Sequence, residues 1–135
     1  MIGKGANMRH PIYIKDMLEA FKLSMEEAQA IGETLLIGGE EIVTTRELVN
    51  VFSEVLDIPG PVVSLSYPVG FMLAGISETL FGLIGKEPPV SKRTLEFFNT
   101  NNAFDISKAK RILHFKPRYS VADGLRDAKE WFNSL

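Results

Sequence analysis

The chain of 135 residues contains no cysteine, a single tryptophan and only two histidines. Without cysteine it can form no disulfide, carry no thiol nucleophile and build no thiolate metal site. The two histidines, His10 and His114, have no second ligand at helix or turn spacing, so no metal site is predicted. Both are expected to be ordinary packed or surface residues.

Neither sign of charge is in large excess. The sequence has 15 lysines and arginines against 17 acidic residues, and its formal net charge is −2. Such a chain has no long-range field that would attract nucleic acid or an anionic membrane, and neither partner is expected. The first 20 residues contain no basic segment followed by an apolar run, so no secretory signal is predicted and a cytoplasmic location is expected.

Long apolar runs are scarce, and one stands out at residues 68–85. It is barely long enough to span a bilayer, and Ser77, Glu78 and Thr79 interrupt it. We therefore expect a buried helix, or a helix whose apolar side faces a partner, rather than a membrane span.

The length predicts a single domain, residues 1–135, of the substrate-binding type described below. The composition, 45% hydrophobic and 24% charged, is that of an ordinary globular protein. Predicted helices alternate with short strands, which indicates an α/β fold that is mainly helical. The strands are predicted at residues 12–14, 34–37, 62–65 and 103–104.

Capping residues indicate where the helices begin. Thr44 and Glu47 fit a capping box, and the apolar residues that follow recur on one helix face. Ser24 and Glu27 have the same spacing, so a helical turn is expected to restart there. Further helices are predicted to begin near Asp16, Pro68, Ser91, Asp105 and Ser120.

No catalytic residue is predicted. The chain offers no Ser–His–Asp set, and its adjacent acidic pairs point to different sides, as surface residues do. The loop at residues 3–5 superficially resembles a dinucleotide loop, but no strand precedes it, no helix follows at once and Met8 replaces the third glycine. It is predicted to be a surface loop that binds no cofactor, and Gly38–Gly39 is predicted to end a strand.

Two arginines are the candidate substrate-binding residues. Arg9 precedes the first predicted strand, and Arg93 lies near the start of a predicted helix. The planar guanidinium of arginine suits a phosphate or a carboxylate. The alternative is that each arginine forms a surface salt bridge.

Three blocks of the sequence resemble the extended short-chain dehydrogenase/reductases, the NAD-dependent epimerase/dehydratase family. Residues 3–20 are similar to its "G-x-G-x-x-x-R-D-x-I-H-V-x-D-L-A-x-A" stretch, and residues 35–48 to "Y-N-I-G-G-G-E-x-V-T-x-R-E-L". Residues 104–117 resemble its closing segment with the "LGF-x-P" turn. The resemblance covers nearly the whole chain and implies the C-terminal, substrate-binding lobe, without the Rossmann core.

The family includes UDP-galactose 4-epimerase, dihydroflavonol reductase and 3β-hydroxysteroid dehydrogenase, and the resemblance implies roles for individual residues. In nucleotide-sugar members the arginine at the position of Arg9 contacts substrate phosphates, and Arg93 is the nearest counterpart of a second such arginine. Residues 88–104 look more like the reductase and steroid-dehydrogenase branches, whose substrates need not carry phosphate. His114 stands where the family usually has glycine, so the helix before it needs a strained residue or a different turn.

The family's cofactor-binding and catalytic features do not accompany these blocks. A full-length parent binds NAD(P) through an N-terminal glycine-rich βαβ unit and uses a Tyr-x-x-x-Lys pair. Lysine never lies four residues after a tyrosine here: Met17 follows Tyr13, Phe71 follows Tyr67 and Asp123 follows Tyr119. The isolated chain is therefore expected neither to bind NAD(P) strongly nor to catalyse a reaction.

The first hypothesis is the substrate-binding lobe of an NAD(P)-dependent sugar-nucleotide epimerase, dehydratase or reductase. A stand-alone binding or oligomerisation module that has lost this chemistry is the second, and a membrane-associated protein is the third. In the family the strand at residues 35–37 joins a large parallel sheet, and without that sheet its edge would be unpaired. We therefore predict that copies of the chain associate into a homo-oligomer.

Overall fold

The computed structural model describes residues 3–60 and 64–135, apart from two side chains at positions 97 and 98. In chain order the described elements are β1 (Met8–Arg9), α1 (Ile14–Glu26), a 3-10 turn (Ala28–Ala30), β2 (Val43–Thr44), α2 (Thr45–Leu56), α3 (Tyr67–Leu83), α4 (Lys92–Asn99), α5 (Ser107–Leu113) and α6 (Val121–Asn133). The predicted class, α/β and mainly helical with few short strands, is confirmed.

Strand β1 joins two parts of the chain that are far apart in sequence. β1 and β2 run antiparallel, with Met8 opposite Thr44 and Arg9 opposite Val43. Arg9 also pairs with Asn102 in a parallel bridge. β1 therefore fixes the start of α2 and the loop after α4 against each other.

Three of the predicted strands are wrong, and the fourth, at residues 62–65, lies largely outside the described residues. Residues 12–14 lead directly into α1, which begins at Ile14. Residues 34–37 form no strand, since none of their backbone groups bonds to another described backbone group. At residues 103–104 no strand forms either, because the pairing with β1 is made by Asn102.

Four of the predicted helix starts are confirmed. In the capping box, the Glu47 N–H donates to Thr44 Oγ1 (3.1 Å) and the Thr44 N–H donates to Glu47 Oε2 (2.7 Å). Ser91 and Ser120 cap α4 and α6 through the backbone N–H three residues on, at 3.2 and 3.1 Å. Pro68 lies in the first turn of α3, where its missing N–H is not needed.

Three other starts differ from the prediction. α1 begins two residues before Asp16. The capping box Ser24–Glu27 does not form, because the Ser24 hydroxyl donates to the carbonyl three residues before it (2.7 Å) and Glu27 caps the 3-10 turn. Asp105 lies one residue before the N-cap of α5, and its carboxylate accepts from the Ser107 N–H (2.8 Å).

The main core lies where α1 and α5 meet the segments that flank them. It consists of the buried Ala20, Ile112, Leu113 and Phe115, with Ile12, Leu23, Ala30, Leu35 and Ile37 packed against them. All three sequence blocks contribute side chains to this core. Elsewhere α2 packs on α6, and α3 packs on α4.

Helix α5 ends in a left-handed residue, His114, with φ 53° and ψ 25°. A residue with a Cβ costs about 1 kcal/mol more than glycine in this conformation. Of the two alternatives predicted for this helix end, a strained residue or a different turn, the structure shows the strained residue. The next residue, Phe115, is fully buried, and its place in the core holds the strained turn.

The apolar run at residues 68–85 supplies most of α3. Gly70 and Ala74 are buried, whereas Met72, Leu80 and Leu83 are more than half exposed. Within the described residues, no helix is both long enough and apolar enough to cross a membrane. One side of α3 is thus covered by the chain and the other is open.

Candidate functional site

Arg9 lies at the junction of β1, β2 and the loop after α4. Only 9% of the residue is exposed. Its Nη1 donates to the Thr100 carbonyl (2.9 Å), and also to the side-chain oxygen of Asn102 (2.9 Å) in the amide orientation that satisfies both groups. Its burial excludes the open-surface position that a surface salt bridge would require. Backbone pairing and side-chain bonds therefore fix the guanidinium in one place.

The loop after α4 runs alongside β1 and is bonded to it repeatedly. The Met8 N–H donates to Asn101 Oδ1 (2.9 Å), and the Met8 carbonyl accepts from the Asn102 N–H (2.9 Å). Asn7 Nδ2 donates to the last carbonyl of α4 (2.7 Å). Arg9 is therefore bordered by amide groups whose positions are fixed by their own hydrogen bonds.

His10 connects the first sequence block to the second. Its Nδ1 accepts from the Phe104 N–H (3.3 Å), so Nε2 carries the proton and donates to the Gly39 carbonyl (2.8 Å). A Cβ at Gly38 would lie 2.7 Å from the imidazole ring, and a Cβ at Gly39 would lie 2.3 Å from the Pro11 carbonyl oxygen. The predicted role of these glycines, ending a strand, is wrong, because what they allow is close approach of two segments.

Arg93 does not share this junction. It lies in the first turn of α4 with an exposed side chain, whereas Arg9 contacts the loop that follows the last turn. At 1.5 Å per residue the helix separates the two positions by about 9 Å along its axis. A ligand that contacts both arginines would have to span the length of this helix.

A cluster that the sequence did not single out joins Tyr13, Lys15 and Asp127. The Tyr13 hydroxyl donates to the Asp127 carboxylate, and Lys15 Nζ lies 2.6 Å from the same oxygen. The ring of Tyr119 packs on that of Tyr13, with centroids 4.8 Å apart. Gly124 makes room for this packing, since a Cβ there would lie 2.8 Å from the Tyr13 ring.

The electrostatics of this cluster do not suit proton transfer at neutral pH. The hydrogen bond to Asp127, with burial, raises the pKa of Tyr13 above its usual 10.0. The hydrogen bond from Lys15, which has the largest effect, and the one from Tyr13 lower the pKa of the Asp127 carboxyl below its usual 3.8. A tyrosine that acts as acid or base needs a pKa near the working pH, and this pKa moves away from it. The cluster is a structural tie between the start of α1 and α6.

The lowered pKa of Asp127 makes stability depend on pH in the acid range. Because the pKa is lower in the folded state, the stabilisation is present above the unfolded value and is lost as the pH falls through the folded value. We therefore expect the difference in free energy of unfolding between wild type and Asp127→Asn to shrink from about pH 5 to pH 2. Urea unfolding at low salt across that range measures it.

Comparing wild type with Asp127→Asn removes the contribution of the other acidic groups to the pH dependence of stability. The pKa values of Glu33, Glu47, Asp105 and Asp123 are also lowered, and these residues are the same in both proteins. A difference that stays constant to the lowest pH would show that the pairing of Asp127 with Lys15 does not stabilise the fold.

The loop at residues 3–5 does not fit the pyrophosphate of a dinucleotide. Arg46 Nε and Nη2 donate to the Lys4 carbonyl (3.0 and 2.7 Å), and the Arg46 N–H donates to the Gly5 carbonyl (2.9 Å). The loop is thus bonded to the start of α2, and the element that follows it is a strand, with no helix N-terminus to face a phosphate. In the part of the chain that the structure describes, no cluster of three or more His, Cys, Asp or Glu side chains could hold a metal ion.

Sequence reasoning identified Arg9 and missed most of its surroundings. Asn101 and Asn102 lie in a stretch with no hydrophobic pattern, and their partner Met8 lies more than 90 residues earlier. The run of amide side chains there was the one available signal. For the Tyr13–Asp127 bond, which spans 114 positions, the sequence carried none.

No family model matches the chain, but three curated relatives are similar over almost its whole length. The 2-alkyl-3-oxoalkanoate reductase of Stenotrophomonas maltophilia is 27% identical over 96% of this chain and 41% of its own length. The decarboxylating sterol-4-alpha-carboxylate 3-dehydrogenase of Schizosaccharomyces pombe is 22% identical over 98% and 41%. The uncharacterized UDP-glucose epimerase YtcB of Bacillus subtilis is 29% identical over 100% and 34%. The chain thus spans 34–41% of the length of these relatives.

Two solved structures have a fold similar to that of this chain over nearly its whole length. The crystal structure of gox2253 has a TM-score of 0.69 at 29% identity and covers 95% of this chain and 38% of its own. UDP-glucuronic acid 4-epimerase from Bacillus cereus, solved with NAD, has the same fold over 99% of this chain and 33% of its own, with a TM-score of 0.64 at 19% identity. The chain is therefore similar to the C-terminal part of members of the NAD-dependent epimerase/dehydratase family of extended short-chain dehydrogenase/reductases.

Proposed function

We propose that the chain is the substrate-binding lobe of an NAD(P)-dependent sugar-nucleotide epimerase, dehydratase or reductase, and that it is inactive alone. The observation that carries the proposal is the match of nearly the whole chain to relatives of which it spans 34–41%. The arrangement around His10, Gly39 and Phe115 supports it, because these residues join the three family-like blocks into one unit.

In this proposal another part of the parent enzyme binds the cofactor. The NAD complex of the Bacillus cereus epimerase supports NAD for the parent. In this chain the glycine loop is bonded to Arg46 instead, and the pKa of Tyr13 is raised rather than lowered. The groups that bind NAD(P) and transfer the hydride would come from outside these residues.

Arg9 is the residue that we assign to the substrate. Its fixed guanidinium and the neighbouring amides of Asn101 and Asn102 suit a phosphate, a carboxylate or a carbonyl oxygen. The relative named as a UDP-glucose epimerase favours a nucleotide sugar, and those named as a reductase and a sterol dehydrogenase favour a substrate without phosphate. Arg93 separates these two cases, because only an extended ligand such as a nucleotide sugar would reach it.

Calorimetric titration of the chain with UDP-glucose, a 2-alkyl-3-oxoalkanoate and NADH tests the proposal. If the substrate is a nucleotide sugar, UDP-glucose binds, and both Arg9→Lys and Arg93→Ala weaken it about tenfold. If it carries no phosphate, the oxoalkanoate binds and Arg93→Ala has no effect. Arg111→Ala, which removes an exposed arginine from α5, is the matched control. Micromolar binding of NADH, turnover by the chain alone, or binding of neither substrate would overturn the proposal.

A stand-alone binding or oligomerisation module is the second candidate, and the apolar surface of α1 favours it. Ile14, Leu18, Phe21 and Met25 recur on one side of the helix and are 59, 58, 59 and 81% exposed. A contiguous apolar patch of this kind usually marks an interaction surface. An upstream reading frame that encodes a glycine-rich βαβ unit and a Tyr-x-x-x-Lys pair would favour the lobe, and its absence would favour the module.

A further inference from the structure

The chain exposes more surface than a compact protein of its size. Its accessible surface is 9464 Å², whereas a folded monomer of 15.0 kDa exposes about 7,000 Å². The excess, roughly 2,400 Å², is about three times the area that each partner of a standard interface buries. It is large enough for docking on a parent enzyme and for a second, separate interface.

Helix α3 is covered on one side by α4. Gly70 and Ala74 are buried on that side, and the Glu78 carboxylate accepts from the Lys92 N–H (2.8 Å) at the start of α4. A Cβ on Gly75 would lie 3.1 Å from Lys92 Cε, so the two helices are close there. A helix that is apolar all round is normally buried all round, so the open side of α3 lacks its cover.

The open side of α3 carries a regular row of apolar side chains, which we call the α3 seam. It consists of Val69, Leu73, Ile76, Leu80 and Leu83, which are 41, 47, 49, 57 and 80% exposed. Their spacing alternates between four and three residues, the heptad spacing by which two helices pack side by side. The seam runs along a helix of 17 residues, about 25 Å.

We infer that the α3 seam packs against the α3 seam of a second copy of this chain. Uncharged residues flank the seam, namely Met72, Ser77 and Thr79, so two copies meet without contact between like charges. A lipid surface fits the helix less well, because membrane-surface helices carry a cationic polar side and the only charged residue of α3 is Glu78. The test of this interface uses the chain alone and measures no ligand binding, so its outcome is separate from that of the proposed function.

The absence of native cysteine allows a direct test. Ile76 is the middle residue of the α3 seam, so it faces its own copy whether the two helices run parallel or antiparallel. Ile76→Cys is therefore expected to give a disulfide-linked dimer on mild oxidation. Ile58→Cys, at a similarly exposed position outside both the α3 seam and the apolar surface of α1, is the matched control and is expected to stay monomeric on a denaturing gel.

Sedimentation equilibrium provides the second measurement. Wild type is expected to form a dimer, Ile76→Arg to raise its dissociation constant about thirtyfold or more, and Ile58→Arg to leave it unchanged. Circular dichroism confirms that each variant is folded. A monomeric wild type at high concentration, a dimer disrupted by Ile58→Arg rather than Ile76→Arg, or flotation of monomeric wild type with phosphatidylcholine–phosphatidylserine vesicles would overturn the inference.

Discussion

Replacing Gly39 by alanine is expected to lower the free energy of unfolding by about 3 kcal/mol or more. A Cβ at this position would lie 2.3 Å from the Pro11 carbonyl oxygen, and both groups belong to the backbone. The Gly39 N–H also donates to that oxygen (3.2 Å), and the Gly39 carbonyl accepts from His10 Nε2 (2.8 Å). The clash can be relieved only by separating the two segments, which breaks both hydrogen bonds.

Two other glycines provide matched controls. A Cβ at Gly38 would lie 2.7 Å from the His10 ring, and because a side chain can rotate, Gly38→Ala is expected to cost about 2 kcal/mol. A Cβ at Gly82, inside α3, would meet no heavy atom within 4 Å, so Gly82→Ala is expected to raise helix stability by up to about 1 kcal/mol. Urea unfolding followed by circular dichroism ranks the three variants. Equal stability of Gly39→Ala and Gly82→Ala would contradict the close approach at Pro11.

Helix starts could be predicted wherever both partners of a capping bond lie within one turn. The pair Thr44 and Glu47 illustrates this, and Ser91 and Ser120 do so too. In each case the side-chain oxygen accepts a hydrogen bond from the backbone N–H three residues later. The Ser24–Glu27 spacing shows the limit of the rule. Ser24 lies inside α1, where its hydroxyl donates to the Phe21 carbonyl three residues before it, and competition of this kind cannot be judged from spacing alone.

Strands could not be predicted in the same way, because pairing is decided by distant segments. Leu35 and Ile37 alternate with the exposed Leu36, a strand-like pattern, yet their backbone pairs with no other described residue. Arg9 instead pairs with Asn102, a residue in a stretch with no hydrophobic pattern. Periodicity reports which side chains are buried and not which backbones are bonded.

The candidate site was predictable only as far as the family resemblance reaches. It assigned Arg9, and the structure places that residue in a fixed polar junction. It did not reveal that the guanidinium is anchored to Thr100, since that carbonyl lies 91 positions away. Arg93 was assigned by proximity in sequence, and the length of α4 keeps it from the same junction.

Replacing Asp16 by alanine is expected to lower the free energy of unfolding by about 3 kcal/mol. The residue is 3% exposed, and its two carboxylate oxygens accept from the backbone N–H groups of Arg118 (3.0 Å) and Tyr119 (3.1 Å). Alanine leaves both part-buried donors without this acceptor. Asparagine keeps one acceptor but turns an NH₂ toward the other donor, so Asp16→Asn is expected to be intermediate.

Asp105 is the matched control, because its exposed carboxylate accepts a single backbone bond, from Ser107 (2.8 Å). Asp105→Ala should therefore lose much less stability than Asp16→Ala in the same urea titration. The comparison also tests how the lobe is assembled. Asp16 lies in the first sequence block and binds the segment that follows the third, so its loss should free the start of α6 from α1. Hydrogen exchange that is faster at Tyr119 in Asp16→Ala, but not in Asp105→Ala, would show this directly, and identical exchange in both variants would rule it out.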